Sequence, residues 1–230
     1  MKSLRGESLD AATVTAIGIE GDRSFGLRDV ESGTILTARR CPELLFASSL
    51  WSAGSVVITL PDGTETDSDE TLSKWLRRSV ELVPAGLGAG TFENPLDFED
   101  STDGANESDW VSWDGPDDSF HDSGRTRVSL VSSDTMRAWD EQRFRKNVVL
   151  SGSHENDLID KTLSIGSVEL FVTKRVSRCV MVTRPQPEIG RDLDVFKTIN
   201  RELGGTLGIG TTVTTPGSVE VGDSVTTTRP

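Results

Sequence analysis

Short runs of β-branched and apolar residues, each closed by a turn, recur along most of this 230-residue chain. Residues 55–60 end at Pro61-Asp62-Gly63, and residues 163–173 carry Gly166-Ser167 at a predicted hairpin tip. Strands joined by tight turns have to close into a barrel or stack into a sandwich to bury one face, so the pattern predicts a mostly β fold. Further strands are predicted at residues 14–19, 25–28, 34–37, 81–83, 127–131, 147–150, 180–182, 206–215 and 219–225.

Three segments have helical signals instead. Leu72, Trp75 and Leu76 recur at i, i+3 and i+4 after two residues that can cap a helix, Ser68 and Asp69. Residues 192–203 place their apolar side chains on one side and are followed by two glycines, which favours a second helix. A third helix is expected to start at residues 132–134, directly after a predicted strand.

The chain has a net charge of −13, but the acidity is concentrated in residues 91–124. Eleven of the 37 acidic residues lie there, without a single Lys or Arg, so the rest of the chain is close to neutral. This segment lacks a sustained period and is rich in Asp, Ser and Gly, which predicts a solvated loop or linker with some aromatic residues packed on the body. The sequence has no cationic stripe of the kind that binds nucleic acid, so we expect no nucleic-acid partner.

Only two cysteines occur, far apart in sequence, which argues against a disulfide framework and fits a reducing cytoplasm. Cys179 follows Lys174, Arg175 and Arg178, and cations favour the thiolate, the form that binds soft metals. A buried structural cysteine is the alternative for this residue. Cys41 also has cationic neighbours, but a loop cysteine without a chemical role is the simpler interpretation.

The sequence lacks the residues that several common catalytic and binding sites require. The two histidines, His121 and His154, lie outside any recognisable cysteine-protease context, and no Cys or His pair has the spacing of zinc ligands. Neither a Walker loop nor a dinucleotide-binding glycine pattern occurs. The sequence shows no apolar leader and no run of about 18 apolar residues, so we expect a cytoplasmic protein without a membrane partner.

Many of the cations lie at predicted turns. If several of them converge, their guanidinium forks would make an anion site. The helix start at Ser132 and Ser133 would add hydroxyl and backbone donors for a phosphate. Ordinary surface charges are the alternative for any single one of these residues.

Six short motifs follow one another along nearly the whole chain. They are Lys2-Ser3-Leu4-Arg5-Gly6, Gly21-Asp22-Arg23, Leu36-Thr37-Ala38-Arg39, Arg143-Phe144-Arg145-Lys146-Asn147-Val148-Val149, Ser177-Arg178-Cys179 and Pro216-Gly217-Ser218-Val219-Glu220-Val221-Gly222-Asp223. In this order and spacing the chain resembles proteins with an MOSC (molybdenum cofactor sulfurase C-terminal) domain, preceded by the MOSC N-terminal β-barrel region. It is similar in particular to the amidoxime-reducing component and its bacterial counterparts. Lys146 stands where that family usually has proline.

The resemblance implies a mostly β fold with a few short helices. An N-terminal β-barrel or hairpin region is expected in residues 1–90, an acidic insertion or linker in residues 91–124, and a β-barrel MOSC domain in residues 125–230.

For the site, the resemblance implies that Cys179 ligates the molybdenum of a pterin cofactor (Mo-molybdopterin) and is therefore the catalytic residue. Ten residues are expected to bind the cofactor, and their cations are expected to face the pterin phosphate. They include the two serines of the helix start and are Lys2, Ser3, Arg23, Arg39, Ser132, Ser133, Arg145, Asn147, Ser177 and Arg178. Pyridoxal phosphate binding is a further expectation from the resemblance.

For function, the resemblance implies an oxidoreductase that reduces N-hydroxylated or N-oxide small molecules. No cysteine-rich ferredoxin segment follows in this sequence, so the electrons are expected from a separate ferredoxin- or cytochrome-type protein with its reductase. Two alternatives stay open: a non-catalytic carrier or sulfur-delivery module for molybdenum cofactor, and a barrel that binds another anionic small molecule.

Overall fold

The structure, a computed structural model, describes residues 1–88, 90–95 and 110–228. The chain forms two compact units, each assembled from segments that are not consecutive in sequence. Unit 1 comprises Met1–Glu7, Gly21–Asp122 and Arg184–Asp192, and unit 2 comprises Ser8–Glu20, Ser123–Thr183 and Leu193–Pro230.

Strands dominate the part of the chain that the structure describes. They are β1 (Ala11–Thr15), β2 (Gly18–Ile19), β3 (Phe25–Asp29), β4 (Ser48–Ser52), β5 (Ser55–Thr59), β6 (Glu65–Thr66), β7 (Val80–Pro84), β8 (Thr91–Pro95), β9 (Trp110–Asp114), β10 (Val128–Ser132), β11 (Val148–Leu150), β12 (Thr162–Ile165), β13 (Val168–Ser177), β14 (Thr206–Thr215), β15 (Gly217–Glu220) and β16 (Val225–Thr228). The α helices are α1 (Asp69–Leu76), α2 (Ser133–Met136) and α3 (Leu193–Leu203), and 3-10 helices lie at Pro42–Phe46, Glu141–Arg143, Glu155–Leu158 and Val180–Thr183. The mostly β class predicted from the sequence is confirmed.

Unit 2 is built on a six-stranded sheet in the order β11-β10-β14-β13-β12-β16, in which β10 and β11 run parallel. Alternate residues of β12 and β13 lie on the same face of the sheet, so that Leu163, Ile165, Leu170 and Val172 share one buried core. A second sheet, β15-β1-β2, pairs an N-terminal strand with a strand close to the other end of the chain. The predicted hairpin tip at residues 166–167 is confirmed between β12 and β13.

Helix α3 closes the second core of unit 2. Its apolar positions follow the helical repeat, so Val195, Phe196 and Ile199 are buried together with Val131 and Leu207 from the sheet. The helix predicted at residues 192–203 is therefore confirmed, within one residue at its start. None of the described helices is both long and apolar enough to span a membrane.

Unit 1 contains three small sheets, β3-β7, β4-β5-β6 and β8-β9. The predicted helix is confirmed as α1, where the Ser68 hydroxyl accepts a hydrogen bond from Thr71 N at 3.5 Å and Leu72 is buried. A compact cluster of Ile35, Phe92 and Phe120 forms an aromatic core, with the rings of Phe92 and Trp113 5.2 Å apart.

Four strand predictions are wrong in detail. Residues 14–19 form a tight hairpin of β1 and β2, with Val14 opposite Ile19, and not a single strand. Residues 180–182 form a 3-10 helix, because the buried Val182 side chain joins the core under α3 and its N–H donates to Cys179 O at 3.2 Å. Residues 34–37 make only an isolated bridge to β3, which pairs with β7 instead. Residues 219–225 are interrupted after β15, where Gly222 has a positive φ of 100° and the Asp223 carboxylate accepts a bond from Glu220 N at 2.8 Å.

The acidic segment is more ordered than a solvated loop where the structure describes it. β8 and β9 pair antiparallel from Thr91↔Asp114 to Pro95↔Trp110. Phe92 and Phe120 are buried, which confirms that some aromatic residues of the segment pack on the body. The loop prediction is wrong for these strands because the aromatic residues supply enough apolar surface to order them. Residues 96–109, with the expected apolar residues Leu96 and Phe98, lie outside the described residues.

Candidate functional site

Cys179 lies at the junction between a long strand and a buried 3-10 helix of unit 2. Strand β13 ends at Ser177, and the helix begins at Val180. The Cys179 carbonyl accepts the bond from Val182 N that closes the first turn of this helix, whereas its thiol is only half-buried. The backbone of the thiol is thus fixed, and its sulfur retains partial access to solvent.

Arg178, the residue before Cys179 in sequence, is held by three contacts within unit 2. Its backbone N–H donates to Gly205 O at 2.9 Å, and its Nη2 donates to the carbonyl of the buried Phe144 at 2.9 Å. The guanidinium carbon also lies 5.9 Å from the centre of the Phe144 ring. A positive charge is therefore fixed one residue before Cys179, a placement that favours anionic ligands nearby.

The predicted residues Arg145 and Asn147 lie on the segment that leads into β11. Arg145 adopts a left-handed backbone with φ of 51°, which is uncommon for a residue with a side chain. The Asn147 carbonyl oxygen accepts two bonds from Ser129, one from N at 3.0 Å and one from Oγ at 2.9 Å. In the same motif, the buried Arg143 donates to Val182 O at 3.2 Å, so the motif also stabilises the helix that follows Cys179.

The predicted phosphate contribution of Ser132 and Ser133 is weakened by the local structure. Helix α2 is a single turn of four residues, so its dipole and its row of free N–H groups are small. The Ser132 side chain makes no capping bond and is 1% exposed. The Ser133 hydroxyl bonds the backbone of Gly152, accepting from its N–H at 3.2 Å.

Four of the predicted residues belong to unit 1. The ammonium of Lys2 is buried, forms an ion pair with Asp122 and lies 4.3 Å from the centre of the Phe92 ring. Arg23 also has a left-handed backbone, with φ of 53°, and pairs with the carboxylate of Asp22. The Arg23 carbonyl accepts a bond from Phe120 N at 2.9 Å, which joins the end of the acidic segment to this turn.

The remaining two, Ser3 and Arg39, meet at a neighbouring turn of unit 1. The Ser3 hydroxyl accepts a bond from Ala38 N at 2.9 Å, and the Arg39 side chain is 7% exposed. Two residues further, the thiol of Cys41 is buried and donates to the Glu43 carboxylate at 3.3 Å. Burial, and then this hydrogen bond and charge, raise the pKa of Cys41 to about 12, so Cys41 is a protonated structural thiol.

Asp122 is a site residue that the sequence did not single out. Local desolvation acts to raise the pKa of its carboxyl group, but Lys2, Arg23 and His121 act in the opposite direction and lower it to about 2. The adjacent buried residues Phe120 and His121 were a signal in the sequence, because aromatic residues at the end of an acidic run mark a segment that returns to the core.

A metal ion would find few protein ligands here. In residues 1–88, 90–95 and 110–228, no group of three or more His, Cys, Asp or Glu side chains is arranged to hold a metal. A half-buried thiol next in sequence to the anchored Arg178 fits a metal that arrives already bound to an anionic organic cofactor. The predicted site residues therefore form two sets, Lys2, Ser3, Arg23 and Arg39 in unit 1, and Ser132, Ser133, Arg145, Asn147, Ser177, Arg178 and Cys179 in unit 2.

Comparison with known protein families identifies the chain. The model of the MOSC N-terminal beta barrel domain matches residues 1–91, and the model of the MOSC domain matches residues 115–226. The chain belongs to the MOSC-domain proteins. This family is associated with molybdenum cofactor, whereas pyridoxal phosphate binding finds no support in these matches.

The solved structures that this chain is similar to are distant from it. YiiM from Geobacillus stearothermophilus is 18% identical with a TM-score of 0.38, and the match covers 45% of this chain and 55% of that one. The YUAD protein from Bacillus subtilis is 13% identical with a TM-score of 0.43, over 95% of this chain and 85% of that one. The comparison with curated proteins gives no match.

Proposed function

We propose that this MOSC-domain protein binds a molybdenum-pterin cofactor through the thiolate of Cys179 and reduces N-hydroxylated or N-oxide compounds. The observation that carries the proposal is the placement of Cys179, a half-buried cysteine directly after β13 and next in sequence to Arg178, whose guanidinium is tied to Phe144 O. The second cysteine is unsuited to the same role, because the raised pKa of Cys41 keeps that thiol protonated.

The residues present fit such a cofactor by their chemistry. A thiolate is a soft ligand suited to molybdenum, and guanidinium and ammonium groups suit a phosphate. In unit 2 we assign the metal to Cys179 and anion contacts to Arg145 and Arg178. In unit 1, the cations of Lys2 and Arg23 each already hold a carboxylate.

Bound cofactor would supply the two-electron oxygen-transfer chemistry, and the chain's own residues would bind and orient it. Arg178 would neutralise negative charge beside the thiolate, because its Nη2 is tied to Phe144 O and cannot move away freely. Asn147 would keep β10 in register through its two bonds from Ser129, so that Arg145 is presented from a rigid edge.

Electrons would come from a separate redox protein of the ferredoxin or cytochrome type with its reductase. The net charge of −13, concentrated between residues 91 and 124, would steer a donor with a cationic face. We expect the rate with such a donor to fall as salt rises, whereas the rate with a small uncharged reductant would not change.

The experiment measures molybdenum and pterin in protein purified from a host that makes the cofactor. Wild type is compared with Cys179→Ala and with Cys41→Ala as a matched control, because both substitutions remove one thiol. We expect near-stoichiometric metal in wild type and Cys41→Ala, and loss in Cys179→Ala. Equal metal content in the two variants would contradict the assignment.

The same preparations separate catalysis from cofactor transport. A reductase turns over amidoximes or hydroxylamines with a chemical electron donor and keeps its metal during turnover. A protein that contains metal, shows no turnover and releases cofactor rapidly to an apo-enzyme would instead be a carrier, and the reductase proposal would be wrong.

A further inference from the structure

We propose that this protein forms a weak dimer in which strand β4 of one copy pairs with β4 of a second copy, at the outer edge of the β4-β5-β6 sheet. The inference goes beyond the proposed function, because it concerns an interaction surface of unit 1 and involves no cofactor. It depends on three features of β4, which are an unpaired backbone edge, an exposed apolar pair and the absence of charge.

The turn between β4 and β5 determines which backbone groups of β4 are used inside the sheet. Ala53 and Gly54 have positive φ of 49° and 85°, so they form the two-residue type I′ turn of a hairpin. Ser52 and Ser55, which flank such a turn, form a hydrogen-bonded pair, and hydrogen-bonded pairs alternate along an antiparallel ladder. Every second residue of β4, counted back from Ser52, therefore exchanges its hydrogen bonds with β5.

The other residues of β4, Ser49 and Trp51, direct their N–H and C=O groups away from β5. The carbonyl of Ala47 lies on this side by the same alternation, and it accepts a bond from Arg5 N at 3.0 Å. Within residues 1–88, 90–95 and 110–228, no further backbone group pairs with this outer edge. An edge of this kind is a template for another strand.

The exposed face of the β4-β5 hairpin is apolar and uncharged. Leu50 and Val57 lie directly opposite each other and are 62% and 41% exposed. Residues 44–61 contain no charged side chain, although 27% of the residues in the chain are charged. Exposed edge strands of monomeric proteins are commonly protected by a charge or a proline, and β4 has neither. The edge is therefore suited to a partner strand.

A second copy of β4 fits this edge because the pairing is symmetric. Antiparallel pairing centred on Leu50 places Ser49 of each copy opposite Trp51 of the other. These pairs use the outward-facing backbone groups, so each exchanges two hydrogen bonds. The two Leu50 residues then form a non-hydrogen-bonded pair, in which side chains lie close together. The exposed apolar row of Val57 and Leu50 thus continues into the second copy.

The dimer should be weak and should be tightened by salt. One strand pair covers less area than the roughly 800 Å² per partner of a standard interface, so we expect a dissociation constant of about 10–100 µM. Each copy has a net charge of −13, and β4 has no charge that could offset this repulsion. Added salt screens the repulsion and should strengthen association, whereas an interface made of ion pairs would be weakened.

The test is sedimentation equilibrium of the full chain between about 1 and 500 µM, a range that brackets this constant. We expect wild type to change from monomer to dimer, and Leu50→Lys to stay monomeric because it places two ammonium groups in the central pair. Leu87→Lys is the matched control and should dimerise like wild type, because Leu87 is 85% exposed in the same unit but lies outside β4. A wild type that stays monomeric throughout, as expected if the edge takes a strand of another protein, would overturn the proposal. Equal dimerisation by the two lysine variants would overturn it too.

Further variants test the backbone pairing and its register. Ser49→Pro removes an N–H that faces away from β5, so the fold should persist by circular dichroism while dimerisation weakens at least about tenfold. In a Cys179→Ala background, mild oxidation of Leu50→Cys should give a disulfide-linked dimer, because the central pair brings the two positions together. Ser52→Cys should not cross-link, because Ser52 lies opposite Ser48 of the second copy. Cross-linking of Ser52→Cys that equals or exceeds that of Leu50→Cys would overturn the proposal.

Discussion

Cys41 should be nearly inert toward a thiolate-specific disulfide reagent in the native protein, although two arginines precede it in sequence. The prediction is tested in Cys179→Ala, where Cys41 is the one remaining thiol. Its reactivity then reports directly on the environment that the structure gives to this side chain.

The magnitude follows from the pKa. Burial, followed by the hydrogen bond and the charge of Glu43, raises the pKa of Cys41 from 9.0 to about 12. Each pKa unit changes the thiolate fraction about tenfold below the pKa, so the native protein should hold about a thousandfold less thiolate than the unfolded chain at a pH near 8. Because the side chain is 7% exposed, restricted access would slow the reaction further.

The assay follows the absorbance of the released reagent thiolate with native and denatured Cys179→Ala. Glu43→Gln serves as a second variant, since removal of the carboxylate charge should lower the pKa of Cys41 and accelerate the native reaction. In protein prepared without cofactor, Cys41→Ala, which retains Cys179, should react faster than Cys179→Ala in the native state. A native rate for Cys41 within about tenfold of its denatured rate would refute the reasoning.

Three further predictions concern stability. Phe92→Ala should lower the free energy of unfolding by about 3–5 kcal/mol in denaturant titrations, because its ring is fully buried. As a control, Val111→Ala should change this free energy by less than about 1 kcal/mol, because the Val111 side chain is 44% exposed. Gly208→Ala should destabilise the protein more than Gly152→Ala. Both glycines have a positive φ, but a Cβ at Gly208 would also overlap a carbonyl oxygen of β10. Equal decreases in the free energy of unfolding would show that backbone strain alone matters. Since the ion pair lowers the pKa of Asp122 from 3.8 to about 2, its stabilisation is present above pH 3.8 and is lost as the pH falls through about 2. Unfolding measured against pH should therefore show a steeper acid loss in wild type than in Asp122→Asn.

The sequence predicted those helices and strands whose conformation depends mainly on their own residues. Helix α3 was found because its apolar residues repeat at the helical period, and the hairpin of β12 and β13 because Gly166 interrupts an alternating run. Residues 180–182 are β-branched in part and look like a strand by composition, yet they bury Val182 under α3 as a 3-10 helix. That choice depends on partners far away in sequence, which local propensity does not contain.

The site was predictable in its cations but not in their partners. A buried Lys2 needs a carboxylate, but nothing in the sequence says which of the 37 acidic residues lies beside it. Asp122 was assigned to a solvated segment because the acids around it outnumber the aromatic residues that order this segment. The pairing arises from the return of Phe120 to the core, and long-range packing of this kind is invisible to motif spacing.

The interleaving of the two units has a consequence for synthesis on the ribosome. Unit 1 includes residues 184–192, and unit 2 pairs β1 with β15 near the last residues, so neither unit can be completed when its first segment emerges. Strand β1 pairs locally with β2, but more than 190 further residues have to be synthesised before its second partner, β15, exists. We expect nascent chains released before residue 220 to be cleaved readily by proteases. When the chain is cut once, we expect its two fragments to fold together only when both are present.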